Sequence, residues 1–298
     1  MNQKRLPAIL QKRNRFLLLS HIILILMSIG VLLPFWILIA ASLTDETWAI
    51  KNGFAVIPKE WSTLAYKYVF MRWQTFGKAY LITIIVTVVG VSLCLIVTAG
   101  CAYMLSRRNL PGRNIITFFI VFTMLFNGGM VASYINYTQI FHLKNSYLAY
   151  IIPNMITNGF TIVLMRGYFQ SSIPEELLES ARLDGASEIR CFFQIVLPLS
   201  KPIMATVALM QGILFWNDWM NGTYYISDYS KWGIMNVLNS INNSSSYLSD
   251  LTMGAGTGVP TTTMRLAIAV IGILPVLCAY PFFQKYFVKG ITMGAIKG

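Results

Sequence analysis

The chain is organised around SSIPEELLESARLDGASEIRCFFQIVLPLSKP, residues 171–202. It is the only long run between two apolar segments that is amphipathic, charged and rich in residues that begin or end helices. Ser172 and Glu175 have the spacing of a capping box, and Gly185 can adopt the positive φ that ends a helix. The sequence therefore predicts a helix to about Asp184, a turn, and a second short helix. We call this helix–turn–helix segment, residues 171–199, the elbow.

The second helix of the elbow is predicted to have one apolar face. Ile189, Phe192, Phe193 and Val196 are spaced i, i+3, i+4 and i+7, which places them on one side of a helix. Two prolines, at positions 198 and 202, are expected to end this helix. The elbow is thus predicted to be apolar on one side and to lie between two membrane spans.

The composition is that of a polytopic membrane protein. The 298 residues are 56% hydrophobic and 11% charged, with a mean hydropathy of +0.60. A helical span needs about 20 apolar residues. Six segments satisfy this, at residues 16–42, 79–105, 115–134, 147–169, 201–225 and 264–287. The predicted fold class is an all-α membrane protein with six transmembrane helices.

The distribution of Lys and Arg predicts the orientation of these spans. If the N-terminus is cytoplasmic, the inner segments contain more cations than the outer ones. Both termini and the elbow are then cytoplasmic, and residues 226–262 form a long outer loop. We interpret residues 1–15 as a basic cytoplasmic N-terminus and 16–298 as one transmembrane domain. We attribute the net charge of +12 to the cations that orient the spans and to attraction to anionic lipid, rather than to nucleic-acid binding.

The sequence contains no pattern typical of an enzyme. No Walker A motif is present, and no His, Cys, Asp or Glu residues have metal-ligand spacing. The four cysteines fall in predicted spans or in the elbow, so no outer disulfide is expected. The chain is therefore expected to bind no metal and no cofactor.

The fifth predicted span contains a polar and aromatic group near its outer end, formed by Trp216, Asn217, Asp218 and Trp219. An ionisable residue in a span usually faces a cavity or a partner, and indole rings can stack on sugars. These four residues are candidates for a substrate pathway. An aromatic belt with a packing hydrogen bond is the alternative, and both remain open.

Asparagine–glycine pairs in the third and fourth spans raise a similar question. Asn127 precedes two glycines, Asn154 follows a proline, and Asn158 precedes Gly159. They indicate either irregular helix along a pathway or kinks that permit tight packing. The second interpretation is preferred.

The elbow resembles the EAA loop of ABC-importer permeases. The residues that carry the resemblance are Glu179-Ser180-Ala181, Asp184-Gly185-Ala186, and then Phe193, Ile195, Leu197 and Pro198. The family pattern is E-A-A-x-x-D-G-A, a spacer and I-x-L-P, and Ser180 replaces the first Ala. The C-terminal residues 287–298 are similar to the tail of carbohydrate-type permeases, the group that includes the maltose importer's smaller permease.

This resemblance implies an importer that works by alternating access in a prokaryotic plasma membrane. Its implied partners are a second homologous permease, two cytoplasmic ATPases that bind ATP and Mg, an extracytoplasmic solute-binding protein and an oligosaccharide. The outer-loop composition is similar to that of permeases for complex or uronate-containing oligosaccharides. The residues expected to couple to the ATPase are Glu175, Glu176, Glu179, Ala181, Asp184, Gly185, Ala186, Phe193, Ile195 and Pro198.

Two other functions remain as alternatives: an ABC permease for a different small solute, and a stand-alone secondary transporter. The latter would need ionisable residues within the membrane for ion coupling. Only Asp218, Arg166 and Arg265 come close to this, all near span ends.

Overall fold

A computed structural model describes residues 8–156, 158–243 and 261–295 of the chain. Within these residues the structure is helical, and a single isolated bridge pairs Thr44 with Trp61. The α-helices are α1 (Ala8–Ser42), α2 (Glu46–Asn52), α3 (Leu64–Met71), α4 (Trp73–Ser106), α5 (Arg113–Leu125), α6 (Gly129–Ile140), α7 (Leu148–Ile156), α8 (Gly159–Ser172), α9 (Glu175–Leu183), α10 (Glu188–Leu199), α11 (Lys201–Trp216), α12 (Met220–Tyr225), α13 (Ile234–Asn243) and α14 (Thr261–Ala295). The predicted all-helical class is confirmed for this part of the chain.

Three helices of the described residues are long and apolar enough to cross a membrane unbroken, at Phe16–Ser42, Trp73–Ser106 and Thr261–Ala279. Three further candidates are pairs of helices with a bend between them. The angle is 116° between α5 and α6, 53° between α7 and α8, and 81° between α10 and α11. The number of spans is therefore three, or up to six if each bent pair is one span.

The helices of the third, fourth and fifth predicted spans are broken in the structure. The third breaks between Leu125 and Gly129, where Gly129 has a φ of +82°. The fifth ends at Trp216, and a separate helix begins at Met220. An asparagine or aspartate lies at each of these breaks, namely Asn127, Asn158 and Asp218. Each side chain accepts a hydrogen bond from a backbone N–H group that a continuous helix would pair internally.

The described chain groups into two compact units. The first comprises residues 1–71 and 248–271, of which 8–71 and 261–271 are described. Asp45 accepts hydrogen bonds from the N–H groups of Thr47 and Trp48 and so caps α2. The Trp36 indole donates to the carbonyl of Val56 at 2.8 Å. The segment after α1 is thus folded back onto the end of that helix.

One carboxylate in the first unit joins residues distant in sequence. Glu46 Oε1 accepts a hydrogen bond from the Thr262 N–H, and Oε2 accepts from both the N–H and the hydroxyl of Thr263, all at 2.8 Å. These donors are in the first turn of α14, where backbone N–H groups have no partner within the helix. Glu46, in α2, therefore caps α14.

The second unit comprises residues 72–247 and 272–298. Its buried core joins α4 to α8, to the elbow and to α11, and the largest fully buried side chains there include Phe169, Met165 and Leu178. Val196 and Val207 extend the same core into α10 and α11. The elbow is consequently packed onto the helices that flank it.

Candidate functional site

The elbow consists of α9 and α10 with the turn at residues 184–187. The predicted capping box is wrong, because Ser172 is the last residue of α8 and Pro174 stands at the N-cap of α9 without a side-chain hydrogen bond. The prediction that Gly185 ends the first helix is correct, since its φ is +82°. The Ala186 N–H donates to the carbonyl of Ala181 at 2.9 Å across this turn.

The apolar face predicted for the second elbow helix is also wrong in part. Val196 is fully buried, but Ile189 and Phe193 are 71% and 58% exposed, and Cys191 is buried in their place. The reason is a π-helical stretch at Phe192–Val196, which adds a residue to the turn and shifts the register of the side chains. Pro198 lies within α10, which ends at Leu199, and Pro202 lies in the first turn of α11.

The residues predicted to couple to an ATPase divide into two sets in the structure. Three small or apolar residues, Ala181, Ala186 and Ile195, pack against the buried core. The others are exposed, namely Glu175, Glu176, Glu179, Asp184, Gly185, Phe193 and Pro198. Two exposed leucines, Leu177 and Leu183, add apolar surface to the same helix. The elbow thus has one side that packs on the core and an opposite, solvent-exposed side with acidic and apolar groups.

Polar contacts connect the elbow to the end of α4. The Tyr103 hydroxyl donates to Glu188 Oε2 at 2.6 Å, and Arg182 Nε donates to Glu188 Oε1 at 2.7 Å. Arg107 pairs with Glu175 at 3.2 Å, and its guanidinium lies 4.8 Å from the centre of the Tyr103 ring. The elbow is therefore bonded to α4 through Tyr103 and to the residue that follows this helix, Arg107.

The four residues predicted for a substrate pathway have different surroundings. Trp216 is buried, and its indole donates to the carbonyl of Gly272 at 3.2 Å. Asn217 Nδ2 donates to the carbonyl of Ile213 in its own helix, and Trp219 is partly exposed. Asp218 accepts hydrogen bonds from Asn154 and Asn221. Of these four residues, only Asp218 forms side-chain hydrogen bonds with residues that line a nearby cavity.

A cavity of about 880 Å³ lies at the helix breaks. The broken third, fourth and fifth spans surround it, and its described lining is composed of amides, hydroxyls, aromatic rings, glycines and methionines. The lining residues most relevant to binding are Asn127, Asn154, Asn158, Asn221, Tyr224 and Tyr225. The asparagine–glycine pairs in the sequence were the signal for this cavity, although kinks and tight packing were the preferred interpretation.

Metal and disulfide chemistry find no support in the described residues. These contain no group of three or more His, Cys, Asp or Glu side chains close enough to hold a metal. The four cysteines, at positions 94, 101, 191 and 278, are free. The chemistry available at the cavity is hydrogen bonding and aromatic contact.

Comparison with known proteins gives a consistent result. Residues 95–293 match the sequence profile of the family described as "Binding-protein-dependent transport system inner membrane component". The polygalacturonan/rhamnogalacturonan transport system permease protein YtcP of Bacillus subtilis (strain 168) is 38% identical to this chain, over 96% of the chain and 100% of YtcP. Protein LplC of the same organism is 40% identical, over 93% of each chain.

A solved structure is similar in both fold and sequence. It is the crystal structure of a bacterial ABC transporter involved in the import of the acidic polysaccharide alginate. The TM-score is 0.78 at 29% identity, and the match covers 93% of this chain and 98% of that chain.

Proposed function

The chain belongs to the family of inner membrane components of binding-protein-dependent transport systems, and from this premise we propose that it is the permease subunit of an ABC importer for oligosaccharides. It is a transport protein of the bacterial plasma membrane and not an enzyme. The observation that carries the proposal is the elbow, in which Gly185 separates two helices that are packed on the core and expose acidic and apolar groups outward.

We propose that α5 with α6, α7 with α8, and α11 with α12 each form one broken span, so that the chain crosses the membrane six times. Both termini and the elbow are then cytoplasmic, and residues 16–298 form one permease domain. The excess of Lys and Arg in the inner segments supports this orientation. The C-terminal tail enters this proposal through its sequence alone, since residues 296–298 lie outside the described part of the chain.

The proposed partners are two cytoplasmic ATPases, a second homologous permease and an extracytoplasmic solute-binding protein. ATP and Mg are bound by the ATPases, which dock on the elbow. The exposed Leu183, Ile189 and Phe193 supply the apolar part of that contact, and Glu176 and Glu179 supply its acidic part. The solute-binding protein docks on the outer segments, of which residues 244–260 lie outside the described structure.

The proposed substrate is an oligosaccharide that passes through the cavity at the helix breaks. Amides and tyrosines line this cavity, and such groups bind hydroxyls and sugar faces. The names of YtcP and of the alginate importer point to the uronate-containing class. Of the four residues predicted to form the pathway, Asp218 contributes indirectly, through hydrogen bonds to residues that line the cavity. Hydrogen bonds of Trp216, Asn217 and Trp219 stabilise the break between α11 and α12 that contains Asp218.

Reconstitution of the complete complex in proteoliposomes tests this function. Uptake of oligogalacturonides should require the solute-binding protein outside and ATP on the ATPase side. Reconstitution with an inactive ATPase is the matched control. ATP-dependent uptake of an amino acid or a metal ion, without uptake of any oligosaccharide, would contradict the proposed substrate class.

A further inference from the structure

Asp218 lies at the break between α11 and α12 and contacts two asparagines of the cavity wall. Its Oδ2 accepts hydrogen bonds from Asn154 Nδ2 and Asn221 Nδ2, both at 2.7 Å, and its Oδ1 accepts from the Asn221 N–H at 3.0 Å. Asn154 and Asn221 line the cavity, whereas Asp218 is not among its lining residues. We propose that Asp218 is a positioning residue that fixes the donor and acceptor pattern of the cavity wall. This inference rests on the proposed function, in which the cavity holds the saccharide.

The direction of the Asn154 amide follows from its two hydrogen bonds. Asp218 Oδ2 accepts from the Asn154 amide, so the nitrogen end of that amide faces Asp218. The second hydrogen of Asn154 Nδ2 goes to the carbonyl of Tyr150 at 3.2 Å. With both hydrogens used, the carbonyl oxygen is the polar atom of Asn154 that is left for a ligand.

Two other asparagines of the wall are fixed in the opposite direction. Asn127 Oδ1 accepts from the Gly129 N–H at 2.8 Å, and Asn158 Oδ1 accepts from the Thr161 N–H at 3.3 Å. Their carbonyl oxygens are engaged at the breaks, so their Nδ2 groups supply the donors that remain for a ligand. The wall therefore has donors at Asn127 and Asn158 and an acceptor at Asn154.

This pattern selects for a particular part of a glycan. Sugar hydroxyls both donate and accept, so they can satisfy both sides of the wall. The described lining of the cavity includes no Lys, Arg, Asp or Glu. A carboxylate placed against Asn154 would meet a carbonyl acceptor with no cation, which is unfavourable. The uncharged, hydroxyl-bearing face of the substrate is thus the one that contacts the Asn154 side, and carboxylates are directed elsewhere.

An exchange of the two side chains separates orientation from simple packing. The double variant Asp218→Asn, Asn154→Asp keeps one carboxylate and one amide in hydrogen-bonding distance but moves the negative charge onto the cavity wall. We expect the variant complex to assemble as the wild type does. Uptake is compared for a matched pair of probes, an oligogalacturonide and its methyl ester. The ratio of kcat/KM for the oligogalacturonide to kcat/KM for its methyl ester should fall about tenfold, because the carboxylate at position 154 repels the carboxylates of the acid form.

The single variant Asp218→Asn tests the positioning role directly. An amide at 218 can donate as well as accept, so it no longer dictates the direction of the Asn154 side chain. We expect KM for both probes to rise about fivefold, with little change in the maximal rate.

Asn114→Asp is the control for the exchanged variant. It makes the same chemical change as Asn154→Asp at an exposed position of α5 and should leave the probe ratio unchanged.

The outcomes distinguish this inference from the function on which it rests. The same solute-binding protein loads every variant, so a change in the probe ratio belongs to the permease. If the wild type takes up the probes but the exchanged variant assembles with an unchanged ratio, or Asp218→Asn keeps the wild-type KM, the positioning role is wrong. If the wild-type complex takes up neither probe, the proposed uronate-containing substrate class is wrong, and the inference fails with it.

Discussion

The Tyr103 hydroxyl donates a 2.6 Å hydrogen bond to Glu188 Oε2 and so joins the end of α4 to the start of α10. The other oxygen of the same carboxylate accepts from Arg182 in α9. One side chain therefore connects three helices, and two of them form the elbow. In the proposed complex, a force applied to the elbow by an ATPase would reach α4 through this contact as well as through the buried core.

Removal of the Tyr103 hydroxyl should weaken this connection without changing the packing. In Tyr103→Phe the ring can keep its contact with Phe192, whose centre lies 5.2 Å away. We expect a loss of about 1 kcal/mol in stability, because the accepting carboxylate is about half exposed. The number of sugars transported per ATP should also fall. A double-mutant cycle with Glu188→Gln measures the pair, and strictly additive effects would show that the two residues do not interact.

Gly185 should tolerate side chains poorly for conformational reasons alone. No atom lies within 4 Å of a Cβ built there, but its φ is +82°. We expect Gly185→Ala to cost about 1 kcal/mol and Gly185→Asp to release the ATPase. Gly167→Ala is the control, since this glycine in α8 also has open space but no positive φ. Equal thermal stability and ATPase co-purification for both alanine variants would contradict the proposed role.

Ala181→Trp should disturb the elbow from its inner side. Ala181 is half-buried and packs against the core, so an indole there must displace the elbow from α4 and α8. We expect the spans to insert and the ATPase to bind less or to hydrolyse ATP without transport. Wild-type transport per ATP in this variant would show that the position of the elbow is not critical.

Gly222 should be essential for anchoring α13. A Cβ at Gly222 would overlap the Asn236 side chain. That amide accepts from the Tyr150 hydroxyl at 3.0 Å and donates to the carbonyl of Trp219. We expect Gly222→Ala to cost about 2 kcal/mol and to raise hydrogen exchange in residues 234–243. Gly212→Ala in α11, where a Cβ meets nothing within 4 Å, should leave that exchange unchanged.

The contact of Glu46 with α14 should depend on pH. Burial alone would raise the pKa of Glu46, but hydrogen bonds from Thr263 and Thr262 outweigh it and hold the pKa below the ordinary value. A lowered folded-state pKa stabilises the protein above the unfolded-state pKa, and this contribution is lost as the pH falls through the folded-state value. The difference in Tm between wild type and Glu46→Gln should therefore shrink from pH 7 to about pH 4. A difference independent of pH would contradict this.

The sequence was sufficient to predict the features that depend on local chemistry. The helical class follows from long apolar segments, and the turn at Gly185 follows from a residue that tolerates positive φ. The sequence predicts one apolar face shared by Ile189, Phe193 and Val196, but in the structure Val196 is buried whereas Ile189 and Phe193 are exposed. The difference arises from the π-helical stretch Phe192–Val196, which has no clear pattern in the sequence.

The cavity was harder to predict for a similar reason. Asn154 and Asp218 are 64 positions apart, and only the bends of two helices bring them to 2.7 Å. The sequence marked both residues as unusual, but it could not show that the aspartate orients the asparagine. In the structure the cavity is lined by the amides around Asp218 and not by the indole rings next to it in the sequence.

The most direct test of the proposed function is uptake of a labelled oligogalacturonide into proteoliposomes with all proposed subunits, compared with proteoliposomes that contain this chain alone. We expect uptake only in the complete complex, only with ATP on the ATPase side, and ATP hydrolysis stimulated by the loaded solute-binding protein. The chain alone should neither transport nor hydrolyse ATP. Uptake by the chain alone, driven by a proton or sodium gradient, would identify a secondary transporter and contradict the proposed ATP coupling through the elbow.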